Sequence, residues 1–359
     1  MRPHSILLLL FAVAVSAHAD GFLFNGQSAR ALGVMNACTA QADDPSAVLF
    51  NPGGLALMPP RLSASLGATL GGNVNGHFRG RPPGVADGTA GEERTAADAV
   101  PHAYLTAPIG ARFAAGIGAY SLFRQHTEWS DPQNFAGRFI ATRSSVESYD
   151  VTGVASYRVT SSLGVGGGII YRTSTLSASR ASGSLSTDRQ SSTGWNAGLL
   201  YRPFAHWSFA LTRRNAIGLF PAQTTGGVAW RPIDSFVFEI DVDHTAWSHV
   251  RELVIENVHF PLDFKDTKTL RAGFRHRLSP RTEWHLGYAA ERTAQPDETV
   301  GPFLHDAQRS TYGAGIDFRG VDVAFSWSTD ELREIGTNID QFNGNYRRNM
   351  WLVALTVTR

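Results

Sequence analysis

The chain has 359 residues, with 32 Lys and Arg against 31 Asp and Glu, and a single cysteine. So even a balance leaves no basic footprint for nucleic acid, and Cys38 alone cannot form an internal disulfide. The 36 glycines fit tight turns and crowded positions.

The first residues read as a secretory signal peptide. Arg2 gives a positive start, Ile6 to Val15 an apolar run, and Ala17-His18-Ala19 a small-x-small cleavage site, so residues 1–19 are expected to be removed. A membrane anchor would need a longer run of roughly 20 apolar residues. No later stretch qualifies either. An exported chain of this kind is periplasmic, secreted, or an outer-membrane barrel.

Residues 20–60 show no alternation. Asp43-Asp44-Pro45-Ser46 predicts a helix start, with an Asp cap and Pro at the first helical position. Asn51-Pro52-Gly53-Gly54 predicts its abrupt end. This is a compact, mostly non-strand segment ahead of the first strand.

From Arg61 onward the pattern changes to period two. Trp195, Ala197, Leu199 and Tyr201 share one parity and Asn196, Gly198 and Arg202 the other. Phe236, Phe238, Ile240 and Val242 likewise oppose Glu239, Asp241 and Asp243. Successive side chains of a strand point to opposite faces, so each such segment has an oily and a polar face. Fourteen strands are expected, near 61–73, 100–109, 111–123, 139–158, 161–179, 185–203, 206–214, 223–231, 235–249, 266–278, 281–293, 308–319, 321–330 and 346–358. Tight connections such as Ser279-Pro280 and Gly320 alternate with longer ones, and Arg79 to Asp98 reads as a long loop. A soluble β protein would alternate too. Long strands, a continuous oily face and aromatics such as Trp195, Tyr201, Trp207, Tyr312 and Trp351 at strand ends favour a barrel greasy outside and wet inside. No linker divides the patterned part, so residues 61–359 are expected to form a single all-β antiparallel transmembrane barrel.

On lumen parity, Glu239, Asp241 and Asp243 precede Arg271, Arg275 and Arg277 on the next strand. Opposite charges on adjacent strands predict a ladder. Either the ladder is a structural network, or Arg271 or Arg275 receives a carboxylate, for which a guanidinium fork is shaped. The same acids as a glycosidase pair are disfavoured, because neighbouring arginines would keep both ionised. The histidines stand singly, without metal-ligand spacing. A Ser/His hydrolase on the outer wall is the alternative from another class, and no motif marks it. No catalytic residue, metal or cofactor is expected.

Other residues carry a family resemblance. Ala42-Asp43-Asp44-Pro45-Ser46-Ala47-Val48 followed by Asn51-Pro52 is similar to the hatch of the FadL/TodX family of outer-membrane transporters for hydrophobic compounds. Ala107-Pro108-Ile109, Tyr157-Arg158-Val159, Gly194 through Tyr201, Phe264-Lys265-Asp266-Thr267 and Asp306-Ala307-Gln308-Arg309 follow in the family's order. The resemblance implies a 14-stranded barrel in the bacterial outer membrane, with residues 20–60 as a hatch in its lumen. It also implies passive uptake of fatty acids or similar compounds, a kinked third strand and a side exit into the bilayer. A channel for aromatic hydrocarbons is the alternative within the family; a hydrophilic porin is the nearest other transport reading, and a plugged lumen argues against it. Hydrophobic small molecules and outer-membrane lipids are the expected partners, and the barrel is expected to be a monomer. By the same resemblance Asn51, Pro52 and Gly53 form the gating element, Ser121, Leu122, Phe123 and Arg124 the kink, and Arg180 a second carboxylate site. Phe24 and Phe50 are expected to line the ligand pocket beside Phe22, Leu23, Val48 and Leu49. The chain departs from the family in having Gly53 where Ala is usual and no glycine at the kink. The segments about Ala181–Ser184 and Asn215–Phe220, where members build an external groove, are short.

Overall fold

A computed structural model describes residues 21–80, 82, 89–95, 97–330 and 332–359; the signal segment lies outside these. The wall strands are β1 (Ser63–Gly80), β2 (Ala97–Ile109), β3 in two pieces (Phe113–Tyr120 and Arg124–Glu128), β4 (Arg143–Arg158), β5 (Leu163–Arg180), β6 (Gln190–Phe204) and β7 (Trp207–Arg214). They continue as β8 (Gln223–Trp230), β9 (Phe236–Thr245), β10 (Thr267–Ser279), β11 (Thr282–Glu291), β12 (Arg309–Phe318), β13 (Val321–Asp330) and β14 (Gly344–Thr358). Every neighbour pairs antiparallel, and β14 returns to β1 from Ser65↔Thr358 to Gly80↔Gly344, which closes the barrel. Arg359 joins the closure, exchanging backbone bonds with Ala64. Closure of β14 on β1 leaves no free first or last strand. No described helix is long and apolar enough to cross a membrane.

The parity read from the sequence sets the two faces. Trp195, Leu199 and Tyr201 point outward and are exposed, while Asn196 and Leu200 are buried inside. Register aligns outward aromatics into rows: Tyr288, Tyr312, Trp327 and Trp351 stand opposite one another across β11 to β14, and Trp207, Trp230, Phe238 and Phe274 across β7 to β10. Such rows place amphipathic rings at the boundary of the lipid.

Three strand expectations are corrected. β3 is not continuous over 111–123; it breaks at 121–123 and resumes at Arg124. β9 stops at Thr245, because Trp247–His249 forms a 3-10 turn whose Trp247 is fully buried. Within the long loops, short pairs Thr89–Glu92, Gly183–Ser186 and Glu252–Ile255 with Val258–Pro261 add local hairpins that period-two counting missed. On the outer side these loops meet over the mouth. Trp129 donates its indole N–H to the Pro302 carbonyl at 3.1 Å, and Phe260 stacks on Phe303 at 4.1 Å.

Residues 21–57 lie inside the wall. Helix α1 (Ala29–Gly33), capped by the Ser28 hydroxyl, packs on β11 to β14. Helix α2 (Ala47–Phe50) and the 3-10 turn Pro52–Leu57 pack on β3 to β6. α1 was not expected, and α2 starts later than the sequence suggested: Asp44 accepts from the Ser46 amide at 2.7 Å and so organises the turn before it. The irregular backbone of this segment needs partners, since a lumen filled with protein leaves few waters to serve it. Wall side chains supply them. Thr69 and Tyr104 donate to the carbonyls of Gly26 and Gln27, while Arg158, Arg202 and Asn196 donate to those of Ala56, Gln41 and Val48.

Candidate functional site: a hatch seated behind a break in the wall

The charged lumen residues are anchors of the hatch. A cross-strand ladder contact forms at Asp243–Arg271, 2.5 Å apart, where Arg271 also reaches the Met35 carbonyl. Glu239 and Asp241 accept instead from the amides of Ala40 and Thr39, at 2.5 and 3.1 Å. Arg275 is bound to Glu283 at 2.8 Å and to Asp43 at 3.1 Å. The expected ladder yields because hatch amides compete for its carboxylates, and a buried charge takes whichever donors reach it. Burial by itself would raise the Asp43 carboxyl, but Arg275 and then Arg30 hold it well below the usual carboxylate range. The Cys38 thiol is pushed up, first by burial and then by Glu239 and Asp241, so it stays protonated.

Asn51 fixes the hatch turn to the wall. Its amide nitrogen donates to the carbonyls of Thr39 at 2.9 Å and Leu199 at 3.1 Å, and its oxygen accepts from the Gly53 amide at 3.0 Å. Gly53 then sits backbone-to-backbone on the wall: a Cβ there would lie 2.6 Å from the Gly198 carbonyl oxygen and 3.0 Å from that of Gly164. The departure from Ala is therefore a packing requirement. Gly53→Val is expected to weaken seating of the turn by about 1–3 kcal/mol. Hydrogen exchange of residues 47–57 should quicken while the wall strands keep their protection. Unchanged exchange in the turn would contradict this fit.

The break in β3 lies where the kink was expected, without glycine. Phe123 is fully buried, stacked on Phe220 at 4.8 Å and set edge-on to Trp247 at 6.0 Å. Below it lies Arg172 of β5, bound to Asp150 of β4 through two bonds of 2.7 and 2.6 Å. Phe123 is thus pulled inward by packing, and the ladder to β2 ends at Ala103↔Ala119. The second piece of β3 forms its ladder with β4 and meets the segment before β2 at its far end, where the Arg94 amide donates to the Glu128 carbonyl at 2.7 Å. The hatch enters the vacated ladder: Leu23 bridges Phe123, the Phe24 amide donates to the Leu122 carbonyl at 2.9 Å, and the Arg124 amide to that of Phe22 at 2.8 Å.

Two cavities flank this insertion. A lumen chamber is lined on one side by Leu23, Phe24, Phe50 and Leu122 and on the other by Arg214, Asp243 and Arg271. A second cavity reaches from the lumen face of β12 and β14, at Arg309, Arg348 and Leu352, to the gap between β2 and the second piece of β3, where Leu23, Phe24, Asp98, Val100 and Arg124 line it. Leu23 and Phe24 belong to both and form the partition. Of the sequence-chosen residues, Leu23, Phe24, Leu49, Phe50, Pro52, Leu122 and Arg271 meet at the chamber. Arg275 stands apart, on a separate cavity beside Arg30 and Asp43, and Arg180 pairs with Gly183 at a hairpin tip, remote from both.

The sequence missed Arg214. Its side chain is buried, 9% exposed, and donates to Gln223 at 3.0 Å and to the Leu49 carbonyl at 3.0 Å, both neutral. No described carboxylate lies within 4.0 Å, and its Nε has no partner. Arg213 beside it shares the dipeptide but faces outward, and only lumen parity distinguishes the two.

A sequence profile described as outer membrane protein transport protein (OMPP1/FadL/TodX) matches residues 10–219. The chain belongs to this family. It is an outer-membrane transport protein of the FadL/TodX type, and members are channels for hydrophobic compounds. The fold agrees with solved FadL/TodX relatives. A Pseudomonas aeruginosa FadL homologue superposes with a TM-score of 0.79 at 18% identity, over 94% of this chain and 99% of that one. The Ralstonia pickettii toluene transporter TbuX gives 0.64 at 14%, over 90% and 97%. The Pseudomonas putida toluene transporter TodX gives 0.61 at 13%, over 94% and 98%. At such identities the likeness concerns the fold. No curated protein matches the sequence.

Proposed function

We propose that this FadL-type barrel takes up apolar molecules bearing a carboxylate, the chemistry of long-chain fatty acids, with the hatch as its gate and the break in β3 as its side exit. Arg214 carries this reading. It is a buried cation whose described hydrogen-bond partners are neutral, at the edge of a chamber whose apolar side is Leu23, Phe24, Leu49, Phe50 and Leu122 and whose polar side includes the paired Asp243 and Arg271. A carboxylate supplies the missing counter-charge, and its tail meets the apolar side of the chamber. Solute enters past the outer loops, where Phe260, Leu262, Phe303 and Ile339 line an apolar cleft. Displacing Leu23 and Phe24 joins the chamber to the wall cleft and delivers the solute to lipid, which spares it a passage through water. Asn51 and its Leu199 bond keep the rest of the hatch seated meanwhile.

Uptake of labelled oleate by cells lacking their own transporter tests the reading. Cells expressing this chain should accumulate oleate well above vector controls. A folded barrel in the outer membrane with no oleate entry would defeat it.

A further inference from the structure

The wall gap has one crossing between its two ends. Residues 97–102 face 120–127 across it, between Ala103↔Ala119 below and, above, Arg94, whose amide donates to the Glu128 carbonyl at 2.7 Å and whose guanidinium donates to the Glu128 carboxylate at 2.9 Å. Among the described residues between those ends, a single side-chain bond crosses: Arg124 Nη2 to Asp98 Oδ2 at 2.6 Å. Arg124 is held on the β4 side as well, by Glu147 at 3.2 Å and by the Tyr149 hydroxyl at 3.1 Å, while its backbone amide holds Phe22 of the hatch. Asp98 has a half-exposed carboxylate and no other described hydrogen-bond partner.

We propose that Asp98–Arg124 is a latch on the side exit: it ties the β2 edge to β3, and it must part for solute to leave sideways. The inference rests on the lateral-exit reading above. The two partners are unequal. When the latch opens, Arg124 keeps Glu147 and Tyr149 and so stays with β4, and the β2 edge carrying Asp98 is what swings free. The pair lies partly open to solvent, so its strength is that of a surface ion pair and it yields at modest cost. A stronger bond would seal the exit. Because Arg124 also holds the Phe22 carbonyl, the outer latch and the inner partition of Leu23 and Phe24 meet on one residue, and release of either loosens the other.

The test uses the full chain in cells lacking their own transporter, with initial uptake of labelled oleate as readout and heat-modified gel mobility to verify folding. Asp98→Asn should raise the rate about threefold, the scale of an exposed ion pair no longer broken, and Asp98→Glu should bring it back toward wild type. Higher ionic strength should speed wild-type uptake and leave Asp98→Asn unchanged; the wild-type salt response reads the latch even if a variant fails to assemble. Wild-type uptake with an Asp98→Asn rate equal to or below it, or with Asp98→Glu as fast as Asp98→Asn, overturns the latch and leaves transport standing. Absence of wild-type uptake overturns both.

Discussion

Replacing Arg214 with Gln lowers oleate uptake by about 10- to 100-fold, the scale of losing a charged hydrogen bond of roughly 1.5–3 kcal/mol. Toluene entry, which needs no counter-charge, should stay within about twofold of wild type. The variant isolates charge from packing. Gln is shorter but keeps an amide donor, so the carbonyl of Leu49 that Arg214 now serves at 3.0 Å is not stripped of chemistry suited to it. Equal loss for oleate and toluene would mean that Arg214 only holds the hatch. Unchanged oleate entry would remove the argument for a carboxylate-bearing cargo.

The second large effect concerns stability. Arg172→Leu should destabilise the barrel by about 3–5 kcal/mol, because Asp150 is left buried without its counter-charge. The pair sits directly across the register of β4 and β5, and both side chains are almost wholly buried. The guanidinium also lies 4.8 Å from the Phe123 ring and 5.0 Å from Phe220, a stacking contact that the Leu loses. Phe123 should then lose its seat, and the break in β3 its shape. A drop in the temperature of heat-modified gel migration reads this out. Replacing both partners, as Arg172→Met with Asp150→Leu, should recover most of the drop, since an apolar pair leaves no stranded charge. A single variant as stable as wild type would show that the pair is dispensable.

Much of the site was legible. Asn51-Pro52-Gly53 was marked by its turn residues, and Asn51 there donates to the Leu199 carbonyl of the wall. The kink was placed at Ser121 to Arg124 by resemblance, and the break falls there although no glycine supplies it. Sequence could not reveal the cause, because Phe123 is drawn inward by Phe220, Trp247 and Arg172, which lie from 49 to 124 residues further along the chain. The arginines show the same divide. Their inward direction at 271 and 275 followed from parity, but which acid each would meet depended on hatch amides that no local pattern announces. Arg214 was passed over because a paired and an unpaired cation look alike in a sequence.

The sequence by itself determined the wall. Alternation with period two fixes which side chains face lipid, and turn residues fix where strands reverse; both are local properties of the chain. Tertiary structure alone decided what meets inside the wall. The position of Leu23 and Phe24 beside the break, the unpaired edge of β2 and the neutral hydrogen-bond partners of Arg214 each depend on a segment near the N-terminus lying inside strands far along the chain. Such contacts arise from closure of the barrel around its hatch, where burial makes every lumen charge and every hatch amide compete for the same few partners.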